Sequence, residues 1–141
     1  MSAESPTERN KRIVMETWQA FWRNDIDAAL VNMTEDVHWW NSGDGPLGTD
    51  LHGHDGIRTL WGKELNFFRD LEKTEIGLHA ADDFVIREAG AIGHLIDGTP
   101  YQNQACTVHE FKDGKIVRVR QYVDTKTADA IRQMLERLGT S

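Results

Sequence analysis

Residues 101–125 read YQNQACTVHEFKDGKIVRVRQYVDT, and the Asp113-Gly114 pair near the middle limits what they can become. Both residue types tolerate the positive φ of a two-residue hairpin turn, and the flanks are rich in β-branched and aromatic side chains. Such a turn sets Lys112 opposite Lys115 and Phe111 opposite Ile116. Continued without interruption, the register places His109 opposite Arg118, Thr107 opposite Arg120, Ala105 opposite Tyr122 and Asn103 opposite Asp124. Side chains alternate along a strand, so one face carries Tyr101, Asn103, Ala105, Thr107, His109 and Phe111 with Ile116, Arg118, Arg120, Tyr122 and Asp124. The opposite face carries Cys106, Val108, Val117, Val119 and Val123. The first face is rich in groups that move protons or donate hydrogen bonds. Asp97-Gly98 marks an earlier hairpin, and an even-length loop there puts His94 on the Tyr101/Asn103 side. A three-residue loop with a bulged glycine would turn that strand over.

The rest of the chain supplies helices to cover that face. Ser5-Pro6-Thr7-Glu8 is a helix start, with a serine cap, a proline in the first turn and a glutamate closing a capping box. The helix extends to about Arg23, with Val14, Trp18, Phe21 and Trp22 at helical spacing. Asn24-Asp25 breaks it and caps a short helix over Ile26 to Met33. Val37 to Asn41 is a short strand with Val37, Trp39 and Asn41 on one face and His38 and Trp40 on the other. Ser42 to Gly53 is a glycine-rich loop. Asp55 caps a third helix with Ile57, Leu60, Trp61, Leu65 and Phe68 in one stripe, and Gly62 marks a close approach on it. Lys73 to Arg87, interrupted near Asp82-Asp83, and Ala89 to Ile96 are strands. Asp124 to Thr127 open a last helix with Ala128, Ile131, Leu135 and Leu138 on one side. Helices gathered at one end of a strongly curved antiparallel sheet make an α+β fold, a cone with its pocket on the polar inner face.

Length and charge narrow the partners. A chain of 141 residues is one domain with a sizeable core, expected here as a flexible leading segment 1–6 and a folded unit 7–139. A net charge of −7 argues against nucleic acid and anionic membranes as partners. No apolar run reaches a membrane span, and the polar start is unlike a signal peptide. The single Cys106 precludes an internal disulfide, so a cytoplasmic setting is expected. Asp50, His52, His54 and Asp55 cluster without a recognised ligand spacing, and no phosphate-binding glycine loop is present. Neither metal nor cofactor is expected.

The order of elements, with the segments FWRNDIDAALVNMTEDVHWW, GHDGIRTLW and FKDGKIVRVRQYVDT, resembles the nuclear transport factor 2-like cone fold. It is most similar to the SnoaL-like polyketide cyclase and ketosteroid isomerase-like branch, over about Thr7 to Leu138. The steroid isomerase's three catalytic roles are not kept: its base position falls at Asn41, its helical tyrosine at Thr17 or Trp18, and its oxyanion-hole acid near Thr107. The cyclase branch places its proposed base near the end of the last strand, which here implies Asp124.

Asp124 is therefore the expected base, provided burial raises its pKa. As a helix cap it would instead bind backbone N–H groups and become a stronger acid. His94 and Asn103 are the expected second catalytic groups, set to steady an enolate oxygen. Trp18, Trp39, Asn41, Trp61, Tyr101, Thr107, Arg120 and Tyr122 are the expected pocket walls, with Arg120 requiring an anionic partner. The resemblance implies a cofactor-independent enzyme that abstracts a proton next to a carbonyl of a small apolar substrate, as an isomerase or cyclase. A dehydratase or epoxide hydrolase and a non-catalytic ligand-binding or oligomerisation module are the alternatives. A homodimer through the outer sheet face is also implied.

Overall fold

The computed structural model describes residues 3–43 and 48–139. Helix α1 spans Pro6–Trp22 and opens as its sequence dictates, with Ser5 Oγ accepting from Glu8 N and the Glu8 side chain returning to the Ser5 N–H. Helix α2, Ile26–Leu30, is capped by Asp25. Strands β1, Met33–Asn41, and β2, Thr49–His52, follow. Helix α3 spans His54–Glu64. The long strands β3, Phe68–Ala81, β4, Phe84–Leu95, β5, Pro100–Lys112, and β6, Lys115–Val123, precede helix α4, Thr125–Arg137. This is the expected α+β fold. β2 lies inside the segment expected as loop, whose Gly45 and Pro46 fall outside the described residues. Gly53, at φ 84, takes the cap position of α3, so Asp55 sits in the first turn and caps nothing. Gly62 has no atom within 4 Å of where a Cβ would stand, so the expected close approach there is absent.

The six strands form one curved sheet in the order β2-β1-β6-β5-β4-β3. All neighbours are antiparallel except β1 and β6, which run parallel and make the sheet mixed. Two departures from simple alternation decide which side chains face the helices. The first is in β6. Phe111 pairs with Ile116 and Glu110 with Arg118, leaving Val117 as an extra residue. Beyond that bulge, Val119, Gln121 and Val123 oppose His109, Thr107 and Ala105, while Arg118, Arg120 and Tyr122 turn outward. The expectation that Arg120 and Tyr122 line the cavity is corrected. Burying Val119 is favourable, whereas burying two guanidinium groups without partners is not. The second is at the β4–β5 turn. Leu95 N donates to Thr99 O across a three-residue loop whose Gly98 has φ 90. His94 consequently pairs with Pro100, and Gly93 with Tyr101, so His94 lies on the outer face.

The main core lies between the inner sheet face and the three N-terminal helices: Val14, Trp18, Phe21, Leu30, Val37, Trp39, Ile57, Trp61, Val85 and Val119 are all buried there. Phe21 stacks on Trp61 with ring centroids 4.4 Å apart. A second cluster, Leu95, Tyr101, Ile131 and Met134, docks α4 against the other end of the sheet. Between the two clusters the inner face is left partly uncovered.

Candidate functional site

That uncovered region is an open cleft of about 580 Å³, a volume that counts the solvent at its mouth. Trp18 and Trp22 from α1 form one wall, and Phe68, Leu71 and Lys73 from β3 another. Arg87, Ala89 and Ala91 from β4, Tyr101, Asn103 and Ala105 from β5, and Gln121 and Val123 from β6 form the floor. Glu64, the last residue of α3, completes the lining.

Glu64 is the ionisable group that the surroundings perturb most. Its carboxyl has no hydrogen-bond or ion-pair partner among the described residues; the residue is half-buried, and the desolvation this brings pushes its pKa up from 4.5 to about 8. Apolar walls cannot solvate the charge, and the carbonyl end of α3 opposes it further. The sequence carried a signal for this position. Glu64 falls three residues after Trp61 and seven after Ile57, on the apolar stripe of its helix, where an acid is out of pattern.

Tyr101 stands on the floor nearby. Burial raises its pKa, the hydrogen bond from Asn103 offsets this, and the negative charges of Glu64 and Asp124 add to the rise. Asn103 Nδ2 donates to the phenol oxygen at 2.9 Å, and Asn103 Oδ1 accepts from Asp124 N at 3.1 Å. The amide is thus committed at both ends, holding the phenol as an acceptor and leaving its own O–H free to donate to a guest. Tyr101 and Asn103 both line the cleft, and the Asn103 amide is spent on Tyr101 and the Asp124 N–H.

The other expected residues are spread over three places. Trp18 lines the cleft and donates from Nε1 to His109 Nε2 at 3.0 Å. His109 is sealed among α1 and the sheet, where burial lowers its pKa to about 4 and keeps the ring neutral. Trp39, Asn41, Trp61 and Thr107 face inward but are packed into the core and do not line the cleft. Trp39 Nε1 spends its donor on Asn41 Oδ1 at 2.9 Å. Arg120, Tyr122 and His94 lie on the outer face. There His94 Nδ1 meets the carboxylate of Asp70 at 3.1 Å, and Tyr122 packs edge-on against Trp40.

Asp124 is the N-cap of α4, with its carboxylate accepting from the N–H groups of Lys126 and Thr127 and from the Thr127 hydroxyl. These bonds, led by those from Thr127, hold its pKa below the ordinary value. The carboxyl is exposed and outside the cleft lining. Of the two carboxyls, Glu64 is the one that lines the cleft and is desolvated there, whereas Asp124 is bonded as a cap outside it.

The inward arginine is Arg87, whose side chain is 4% exposed. It lies over the Trp18 ring at 4.5 Å and is neutralised by Glu75, with Nε donating at 3.1 Å and Nη2 at 2.5 Å. It is a paired wall residue. Trp22 Nε1, in contrast, is buried without a hydrogen-bond partner, a donor on the cleft wall that a bound acceptor would satisfy.

A SnoaL-like domain profile matches residues 14–119. The chain belongs to the SnoaL-like domain family. Solved structures agree on the fold. Bal32a, from a soil-derived mobile gene cassette, superposes with a TM-score of 0.81 at 21% identity, covering 90% of this chain and 98% of that one. A nuclear transport factor 2-like protein of unknown function from Burkholderia pseudomallei gives 0.79 at 20% identity, covering 87% and 96%. IdmH, a candidate polyketide cyclase from Streptomyces antibioticus, gives 0.71 at 20% identity, covering 88% and 98%. No curated protein shows significant similarity to this SnoaL-like chain. Among its described residues, no helix is long and apolar enough to cross a membrane.

Proposed function

We propose that this SnoaL-like domain is a cofactor-independent enzyme that moves a proton at carbon next to a carbonyl of a small apolar substrate, as an isomerase or cyclase. The observation that carries the reading is the unpartnered Glu64 carboxyl in an apolar cleft beside a phenol donor. As carboxylate, Glu64 takes the proton from carbon. The electron pair moves onto the carbonyl oxygen, and the Tyr101 O–H, held in place by Asn103, stabilises the enolate. Returning the proton to another carbon isomerises the substrate; attack by the enolate carbon on a second carbonyl closes a ring. The mostly apolar lining limits, though it does not abolish, the water that would level the base.

The raised pKa favours a second use of the same carboxyl. With a pKa of about 8, only about a tenth is ionised at pH 7. The protonated majority suits a general acid that donates to a leaving hydroxyl or an epoxide oxygen, the chemistry of a lyase or epoxide hydrolase. The pH profile separates the two, since base catalysis rises through about pH 8 and acid catalysis falls there.

The test is exchange of the α-hydrogens of a panel of cyclic ketones in D2O, followed by proton NMR. The wild type should accelerate exchange of at least one ketone, and Glu64→Gln should lose roughly 10²–10⁴-fold of it. Exchange by Glu64→Gln at the wild-type rate would remove the reading. The protein is proposed to act as a cytoplasmic homodimer joined through the outer sheet face, where Trp40 and Tyr122 lie together; sedimentation at monomer mass would exclude the dimer.

A further inference from the structure

We propose that the outer face of β1 and β2 carries a binding site for a first-row divalent cation of the zinc class, built from His38, Asp50 and His52. The antiparallel ladder sets His38 directly opposite His52 and Trp40 opposite Asp50. The two-residue period of a strand then brings both imidazoles and the carboxylate to one side. The rings lie parallel, with centroids 4.4 Å apart and planes 3° apart. Asp50 Oδ1 is 2.5 Å from His38 Nε2 and 3.9 Å from His52 Nε2. One ligand atom from each of the three residues falls within 4.8 Å of the others.

Those separations bracket what an ion needs. Bonds of about 2.1 Å in a tetrahedral arrangement put neighbouring ligand atoms about 3.4 Å apart. The short pair must open and the wide pair close, each by about an ångström or less. The two parallel rings must also tilt toward one another so that their nitrogen lone pairs converge on the ion, and their exposure on the sheet surface leaves room for that rotation. Two imidazoles and one carboxylate select zinc, cobalt or nickel over calcium or magnesium, which require a shell of oxygens.

The surroundings agree with that selection. Arg118 is the Cα partner of His38 across β6, and Lys112 borders the same depression together with Asp36 and Glu110. Arg118 is partly neutralised by Glu110 at 3.8 Å. Mixed charge of this kind gives no general attraction for cations, so affinity rests on directed nitrogen donors. The side chains of His38, Asp50 and His52 are 30%, 65% and 71% exposed, which leaves the ion reachable and its remaining positions open to water. The ligands differ from the Asp50, His52, His54 and Asp55 grouping visible in the sequence. His54 Nε2 is turned to the carbonyl oxygens of Met33 and Thr34, and Asp55 belongs to the first turn of α3.

The experiment is a titration of the tag-free chain with Co²⁺, read by its visible absorption, and with Zn²⁺, read by calorimetry. One equivalent should bind saturably, and His38→Ala, Asp50→Ala and His52→Ala should each weaken binding by roughly tenfold or more. His79→Ala, which removes a histidine that among the described residues pairs with Glu88, should bind as the wild type does. All four positions are on the sheet surface, and circular dichroism verifies their folding. No saturable binding up to about 1 mM metal, or binding that survives all three ligand substitutions, would overturn the proposal.

Discussion

Replacing Glu64 by Gln gives the sharpest test of the cleft's electrostatics, and it needs no substrate. Glutamine has the shape of the protonated acid but does not titrate. In the wild type the carboxyl loses its proton near 4.5 in the unfolded chain and near 8 in the folded one. Between those values the folded state holds a proton that the unfolded state has released, so stability falls as pH rises. The loss begins above pH 4.5 and is complete above about pH 8. At 1.4 kcal/mol per pKa unit it reaches at most about 5 kcal/mol, of which about 3 kcal/mol is already present at pH 7. The residual access of water through the mouth makes these figures ceilings. Urea unfolding of wild type and Glu64→Gln at several pH values gives the difference directly, with every other titrating group cancelling. The variant should gain on the wild type from about pH 4.5 to about pH 8 and level off above that. A difference that stays flat across that range would show the carboxyl to be solvated, and the reasoning that makes Glu64 a tuned acid–base would fall with it.

Other perturbations probe other links. His109, lowered to about 4 by burial, makes the opposite contribution: stability is lost as pH falls from 6.5 toward 4, by up to about 3 kcal/mol. Imidazole NMR should show the ring neutral at pH 5.5, and a protonated ring there would refute the assignment. Tyr101→Phe removes the free phenol donor and should lower turnover of any active ketone roughly 10–10³-fold; because it also strips the buried Asn103 amide of its acceptor, it should cost about 1–3 kcal/mol in urea unfolding. Asp124→Ala deletes a cap and should cost about 1 kcal/mol in urea unfolding, while α-hydrogen exchange stays at the wild-type level; a loss of exchange comparable with that of Glu64→Gln would return Asp124 to the chemistry. Gly93→Ala would drive a Cβ into the backbone carbonyl of Asp70. It should destabilise by about 1–3 kcal/mol and shift the Phe68 and Leu71 wall, visible as changed amide shifts along β3.

The sequence made the architecture legible because each helix and turn announces itself locally. The Ser5-Glu8 capping box, the Asp113-Gly114 turn with φ values of 52 and 80, and the inward set Val37, Trp39 and Asn41 all stand as the pattern implies. The lining of the cleft was less legible, for a physical reason. A facing argument counts residues outward from a turn, so one unpaired residue inverts everything beyond it. Val117 inverted the assignment of Arg120 and Tyr122, and Gly98 that of His94. Asp124 was visible as both cap and base, and only the bonds from Lys126 and Thr127 separate the two. Glu64 was visible as an anomaly of its helix, but hairpin patterns could not connect α3 to the floor of the cleft.

The Val117 bulge also bears on the order in which the chain assembles. In an isolated hairpin nothing covers either face, so nothing rewards presenting Val119 to one side rather than Arg118, and the turn alone favours an unbroken ladder. The bulge becomes favourable only once the N-terminal helices cover that face. Pairing next to Asp113-Gly114 can therefore nucleate early, while β6 beyond Val117 must wait for long-range contacts. Since β1 joins the sheet mainly along Arg118 to Gln121, with Met33 beside Ile116 on the near side of the bulge, and β2 joins only through β1, most of that edge inherits the delay. A single inserted residue thus divides the sheet into a half that can form by itself and a half that forms last.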